Sequence, residues 1–303
     1  MSQPTSIADL PPGTVIGGYR LAGLLGKGGM GAVYLAEQLS IGRKVALKLV
    51  SAKRLGGKVD SFVREARTAA QLQHPSLVAV HEVGAEANLG LYYYSMEYIH
   101  GRTLFTVVQQ EGSLPPDRVR TYALQVTSAL AHAHRQGLIH RDVKPENIMI
   151  DEHGNAKLAD LGLAADQLGG RGRVLGNRVL SVVGTPGWSA PEQMRNPERT
   201  CAQSDIFALG CVIAFMITGK QPFEGETLID LAVRVATEPV AGLEDLPESW
   251  QDIVEELTAK DPLMRPSHGA AAMHLIEHGP EPRSDSSPSV GSSARRRRRA
   301  RRR

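Results

Sequence analysis

The residues with the greatest capacity for chemistry lie within 140–162. They read His140-Arg141-Asp142-Val143-Lys144-Pro145-Glu146-Asn147, then twelve residues, then Asp160-Leu161-Gly162. The carboxylates of Asp142 and Asp160, the amide of Asn147 and the amine of Lys144 suit the joint handling of a proton, a phosphate and a divalent metal. Asp142 can accept a proton from an attacking hydroxyl. Lys144, two residues on, can set a point charge against a moving phosphoryl group. Asn147 and Asp160 offer hard oxygen ligands of the kind that Mg2+, or Mn2+ in its place, takes.

Such a set needs elements around it that bring a phosphate in. Residues 19–25 start a strand that runs into Gly26-Lys27-Gly28-Gly29-Met30-Gly31. Gly26, Gly28 and Gly31 form a G-x-G-x-x-G, with Val33 two residues on. Without a Cβ in the way, backbone amides can approach phosphate oxygens. The same spacing serves dinucleotide folds, but there a helix follows. Here 32–36 carries Val33 and Tyr34 and continues as a strand. A glycine-rich hairpin with no ligand is the plain alternative. The next strand, 44–50, puts Val45, Leu47 and Leu49 on one face and Ala46 and Lys48 on the other. Lys48 thus points with Ala46 toward the glycine loop, and a lysine inside an apolar strand needs a partner. A helix over 60–73 carries Glu65 near its middle, and strands follow at 77–83 and 91–97. The plain alternatives are a snorkelling edge-strand Lys48 and an exposed Glu65.

Beyond residue 99 the pattern turns helical. Residues 117–136 hold Val119, Tyr122, Ala123, Val126, Ala129, Leu130 and Ala133 at helical spacing, and Gly137 stands in the C′ position. His132 and His134, two apart, fall on different faces, which argues against a shared metal and leaves them as ordinary surface or core histidines. An apolar run from Ser204 to Ile217 suits a buried helix, with Asp205 as a charge at its N-terminus. Amphipathic helices follow near 226–236, 248–259 and 267–278.

The run HRD-V-KPEN with Asp160-Leu161-Gly162 resembles the catalytic loop and metal motif of eukaryotic-like, bacterial-type serine/threonine protein kinases. The resemblance spans about 19–278 and implies a bilobal α+β fold. Its N-lobe, 19–98, would be a five-stranded antiparallel sheet with one main helix, and its C-lobe, 99–278, mostly helical. ATP would bind under Gly26, Lys27, Gly28 and Gly31. Lys48 would hold the α/β-phosphates and pair with Glu65. Met96-Glu97-Tyr98-Ile99 matches the kinase hinge, with Met96 as gatekeeper and backbone groups of Glu97 and Ile99 on the adenine edge. Val33, Ala46 and Met149 would wall the adenine, although each apolar residue could equally be ordinary core. Asp142 would be the base, Lys144 a charge stabiliser that favours serine or threonine acceptors, and Asn147 and Asp160 the metal ligands.

The segment 160–192 looks like an activation segment, with Asp-Leu-Gly where Asp-Phe-Gly is commoner. Residues 166–178, with four glycines and three arginines, read as a mobile loop. By the resemblance, Ser181 stands where family members are often phosphorylated, and autophosphorylation there would add a charge that engages Arg141; an unmodified loop serine is the plain alternative. Thr185 of Gly184-Thr185-Pro186 would contact the catalytic Asp and Lys. Glu192 of Ala190-Pro191-Glu192 would pair with Arg265, and Asp205 would bond the catalytic-loop backbone.

Composition bounds the rest. Of 303 residues, 35 are basic and 32 acidic, but eight arginines sit in 294–303. Without those eight, 27 basic residues face 32 acidic ones, so the folded part is mildly acidic and the end strongly basic. Residues 1–18 read as a flexible lead-in, and 279–303 as a disordered tail that cannot form a core. The tail has three open readings: a solubilising or localising charge run, a binder of nucleic acid or acidic lipid, or the basic flank of a membrane helix in longer relatives. Two cysteines, no basic-then-apolar start and no run of 18 apolar residues point to a cytoplasmic chain, with surface association with membrane through the tail as a variant. Protein substrates and self-association for trans-autophosphorylation are the expected partners. Lys48, Glu65, Asp142, Asn147 and Asp160 are all present, which disfavours a scaffolding pseudokinase. The Gly-Thr-Pro and Ala-Pro-Glu segment disfavours a small-molecule phosphotransferase.

Overall fold

The computed structural model describes residues 6–28, 31–55, 59–161, 173–175, 178–180 and 186–280. The N-lobe is built on strands β1 (Val15–Ile16), β2 (Tyr19–Lys27), β3 (Gly31–Gln38), β4 (Arg43–Ser51), β5 (Val80–Glu86) and β6 (Leu91–Glu97). They form one sheet in the order β1-β2-β3-β4-β6-β5, every pair antiparallel. Helices α1 (Ala52–Leu55) and α2 (Val59–Ala69) lie between β4 and β5 in the chain.

The period-2 pattern decides what each face buries. Ala46 and Val50 of β4 join the core that continues through the C-lobe. Val45, Leu47 and Leu49 join a second cluster on the outer face with Ala32, Tyr34 and Ala36 of β3. A sheet apolar on both faces needs cover on both. The outer cover is the segment before β2. Ser6 caps a short turn at Ile7–Asp9, the Tyr34 hydroxyl donates to the Ile7 carbonyl at 2.8 Å, and Ile16 is fully buried. Tyr93 lies across Gly17, where any Cβ would fall 2.1 Å from its hydroxyl oxygen. One expectation is corrected: the sheet has six strands, not five, because β1 pairs with the start of β2. Of the lead 1–18, residues 6–18 are described, and Ile7, Ala8 and Leu10 pack partly buried against the outer cluster.

The C-lobe contains β7 (Gly101–Thr103), α3 (Leu104–Glu111), α4 (Pro116–Arg135), β8 (Ile148–Asp151), β9 (Ala156–Leu158) and the pair β10 (Arg173–Leu175) and β11 (Arg178–Leu180). Helices α5 (Pro191–Arg195), α6 (Ala202–Thr218), α7 (Leu228–Thr237), α8 (Glu248–Leu257) and α9 (Gly269–His278) complete it. Strands β7, β8 and β9 form a small sheet. It leans on the N-lobe through the Val78 amide, which donates to the Leu158 carbonyl at 2.9 Å. Helix α6 is buried from Ser204 through Met216, as its unbroken apolar run requires. Gly210 lets α8 close on it, since a Cβ there would sit 2.8 Å from Leu257 Cβ.

Candidate active site

The catalytic loop hangs on one buried carboxylate. Asp205, 1% exposed at the start of α6, accepts from the His140 amide at 2.7 Å and the Arg141 amide at 2.8 Å. Those bonds, with Gln193 donating to the Arg141 carbonyl at 2.7 Å, hold Arg141 at a φ of 67°, a region few non-glycine residues adopt. His134 supports Asp205 from α4, with Nε2 2.9 Å from Oδ2. The Gly269 amide donates to His134 Nδ1, so the ring proton sits on Nε2 and points at the carboxylate. His134 is therefore more than an ordinary core histidine: it ties α4, α6 and α9 to the loop. No local sequence signal marks that role.

His140 is fully buried and accepts from the Asp142 amide at Nδ1, so its Nε2 donates to the Ala159 carbonyl at 2.9 Å. The Ala159 amide donates to the Asn147 carbonyl at 2.8 Å. These two bonds bring Asp160 beside the loop. The Asp142 carboxylate meets Lys144 Nζ at 2.8 Å and accepts from Asn147 Nδ2 at 3.0 Å. Asn147 Nδ2 also donates to the Asp142 carbonyl at 2.8 Å, which commits its amine end and leaves the amide oxygen as the end suited to a cation.

Lys48 departs from expectation. Its ammonium lies 2.8 Å from Asp160 Oδ2, while Glu65 of α2 is 3.8 Å from Arg141 and accepts from Ser61. The predicted Lys48–Glu65 pair is replaced by Lys48–Asp160. One ammonium favours the carboxylate already in hydrogen-bond reach, and the guanidinium of Arg141 draws Glu65 the other way. Tyr94 of β6 donates to Asp160 Oδ1 at 2.7 Å. Burial alone would raise the Asp160 carboxyl pKa, but the Lys48 charge and hydrogen bond, with the Tyr94 hydroxyl, hold it below the ordinary carboxylate value. Tyr94 itself is pushed well above the usual phenol range by burial and by the Asp160 charge.

The three motif glycines divide into two roles. Among the described residues, a Cβ on Gly26 or Gly28 would meet nothing within 4 Å, whereas one on Gly31 would lie 1.9 Å from the Leu49 carbonyl oxygen. Gly26 and Gly28, with exposed Lys27 between them, face open space. Gly31 is needed for β3 to close on β4. Val33 pairs across with Lys48, and Ala46 with Met96. Ala46, Met96 and Ile99 belong to one buried cluster against which Val33 and Met149 pack. The Glu97 amide is engaged by the Ala79 carbonyl at 2.8 Å, and its side chain by Lys157 at 2.6 Å. Ser181 and Thr185, and all of 166–178 apart from β10 and β11, lie outside the described residues.

Glu192 and Arg265 form the expected pair, bidentate at 2.7 and 3.0 Å. Ser204 adds a third bond to Glu192 at 2.7 Å. Burial pushes the Glu192 carboxyl up, and the Arg265 bonds and charge with Ser204 bring it below its ordinary value. Among the described residues no cluster of three or more His, Cys, Asp or Glu side chains could hold a metal. An amide oxygen and one carboxylate instead fit Mg2+, which keeps waters and takes substrate phosphate oxygens. No described helix is long and apolar enough to cross a membrane.

Residues 19–279 match the protein kinase domain family. The chain is 36% identical over 261 residues to the serine/threonine-protein kinase PrkC of Bacillus subtilis, covering 83% of this chain and 39% of that one. It is 36% identical over 270 residues to the serine/threonine-protein kinase PknB of Mycobacterium tuberculosis, covering 86% and 41%. A probable PknB of Bifidobacterium longum is 36% identical over 279 residues, covering 86% and 38%. The chain thus spans about two fifths of the length of these relatives. On this match and on the two-lobed fold that carries it, the chain belongs to the protein kinase family, among relatives of the bacterial serine/threonine type.

Proposed function

We propose that the chain transfers the γ-phosphoryl group of ATP to serine and threonine hydroxyls of proteins, as a signalling kinase. The observation that carries this reading is the Asp142 carboxylate, held by Lys144 and Asn147 next to an Asp160–Lys48 pair. The acceptor oxygen forms the new bond to the γ-phosphorus, the bond to the β-phosphate oxygen breaks, and the hydroxyl proton passes to Asp142. Lys144 balances the developing charge. Lys48 leaves Asp160 in part to hold the α/β-phosphates, and Gly26, Lys27 and Gly28 line the space above them. Val33, Ala46 and Met149 wall the adenine, with Met96, Glu97 and Ile99 along its edge. Asn147 and Asp160 would hold Mg2+, or Mn2+ in its place, which supplies Lewis-acid stabilisation of phosphate oxygens when bound.

The names of the relatives support the choice of serine and threonine. The test is transfer from [γ-32P]ATP to a generic basic protein, followed by phosphoamino-acid analysis. Labelled phosphoserine or phosphothreonine is expected; label on tyrosine alone, or none, would reject the reading. Within it, Ser181 is autophosphorylated, in trans between two copies, and its phosphate engages Arg141. Phosphopeptide mapping of wild type against Asp142→Asn, each made in a host without such kinases, checks this; an occupied site in the inactive variant would reject it. Within the same reading, residues 279–303 bind an anionic partner, nucleic acid or acidic lipid, and hold a cytoplasmic enzyme near such surfaces. Binding to duplex DNA and to phosphatidylserine vesicles should then fall steeply between 50 and 300 mM salt and disappear without the tail.

A further inference from the structure

Tyr94 sits on β6 with 1% of its surface exposed. Lys48 is its cross-strand partner, with the ammonium 5.7 Å from the ring centroid. On the helix side, Phe62 of α2 packs 6.2 Å from it. A ring gripped by a strand and a helix has little freedom, and this one aims its hydroxyl at Asp160 Oδ1, 2.7 Å away. Packing alone does not call for a tyrosine. Phenylalanine would fill the same space and spare the burial of a hydroxyl. Lys48 apart, the neighbours sharing this face, Ala46, Val50 and Met96, are apolar.

Asp160 also carries a backbone φ of 58°, one of two positive values at non-glycine residues among the described residues. Such a conformation persists where the surroundings over-determine it. Two contacts hold its carboxylate, Lys48 on Oδ2 and Tyr94 on Oδ1. Lys48 is shared with the nucleotide phosphates in the reading above, on which this inference rests. Tyr94 is then the contact that stays.

We propose that Tyr94 is a positioning residue that fixes the Asp160 carboxylate, engaging Oδ1 so that Oδ2 is turned to the cleft for a divalent cation. Partners that orient a metal ligand typically change metal affinity by about 10–100-fold. The test uses the full chain and two variants. Tyr94→Phe removes only the hydroxyl. Tyr93→Phe is the control: Tyr93 is buried on the opposite face of the same strand and donates to the Gly17 carbonyl. Mn2+ binding is read by electron paramagnetic resonance with a non-hydrolysable ATP analogue, and transfer is measured across a Mg2+ titration. In Tyr94→Phe, Mn2+ binds at least ~10-fold more weakly and the Mg2+ needed for half-maximal rate rises in step, with the rate recovering as Mg2+ is raised. Tyr93→Phe leaves both near wild type. Should Tyr94→Phe fold poorly, Tyr94→Leu is read by the same two measurements. Metal dependence within twofold of wild type in the Tyr94 variants, or an equal shift in Tyr93→Phe, overturns the proposal. Failure of wild-type transfer would count against the kinase reading instead.

Discussion

Two carboxylate–cation pairs organise this molecule, and they are built to opposite ends. Glu192 and Arg265 join two parts of the C-lobe 73 residues apart in sequence. The guanidinium is fully enclosed, and its five N–H donors meet the two Glu192 oxygens and the carbonyls of Ala259, Gln203 and Lys260. Arginine's planar fork makes that saturation possible. Lys48 and Asp160 stand in the cleft, partly exposed at 12% and 24% of their side chains. There the cation is a point charge on a flexible stem, and half the carboxylate belongs to Tyr94. The first pair is a fastener. The second, in the proposed function, is the contact that a phosphate and a cation enter. Fully matched, planar partners mark a joint; a single ammonium with a shared acceptor marks a working site.

The contrast predicts different losses. Lys48→Met should lower phosphoryl transfer by about 10^2- to 10^3-fold, the scale of removing one preorganised charge stabiliser, while thermal unfolding still shows a folded protein. A variant with unimpaired transfer would break the assignment of β4 to the site. Glu192→Gln should cost about 3–5 kcal/mol of stability by leaving Arg265 buried without its counter-charge, as read by chemical denaturation. Arg265→Lys should cost less, about 1–3 kcal/mol, because it leaves acceptors of the fork unmatched. If Lys48→Met destabilises as much as Glu192→Gln, the two pairs do not differ as described.

The smallest effect is in pH. The Glu192 carboxyl is lowered in the folded protein, so its stabilisation is present above its unfolded value, about 4.3, and is lost as pH falls through the lowered folded value. The stability gap between wild type and Glu192→Gln should therefore be flat from neutral pH down to about 5 and close below about 4. A gap that opens on acidification would contradict the sign.

The C-lobe pair was readable in the chain, because Ala190-Pro191-Glu192 and Arg265 each sit in a short marked motif. So was the catalytic loop, whose chemistry is contiguous. The partner of Lys48 was not. Motif position assigned it Glu65, and only distance in space puts Asp160 there instead. Tyr94 escaped for a different reason. In a period-2 pattern a tyrosine counts as apolar, and its hydroxyl has no target until β6 and the end of β9 are folded together. Gly31 shows a motif residue with a second meaning, because the spacing marks it for phosphate while the Leu49 carbonyl demands it for packing. Strand β1 was hidden between Pro12, Gly13, Gly17 and Gly18, residues that read as loop. The clue was the apolar outer face of β3 and β4, which needed a cover.

The most direct test of the site concerns Asp142. Transfer from labelled ATP and binding of Mg·ADP by calorimetry should be measured together on wild type and Asp142→Asn. Transfer should fall at least ~100-fold, the scale of a lost general base, while Mg·ADP binds within about threefold of wild type, on the same grounds that the base acts on the acceptor hydroxyl. Unchanged transfer, or loss of nucleotide binding together with transfer, would contradict the assignment of Asp142 to the proton.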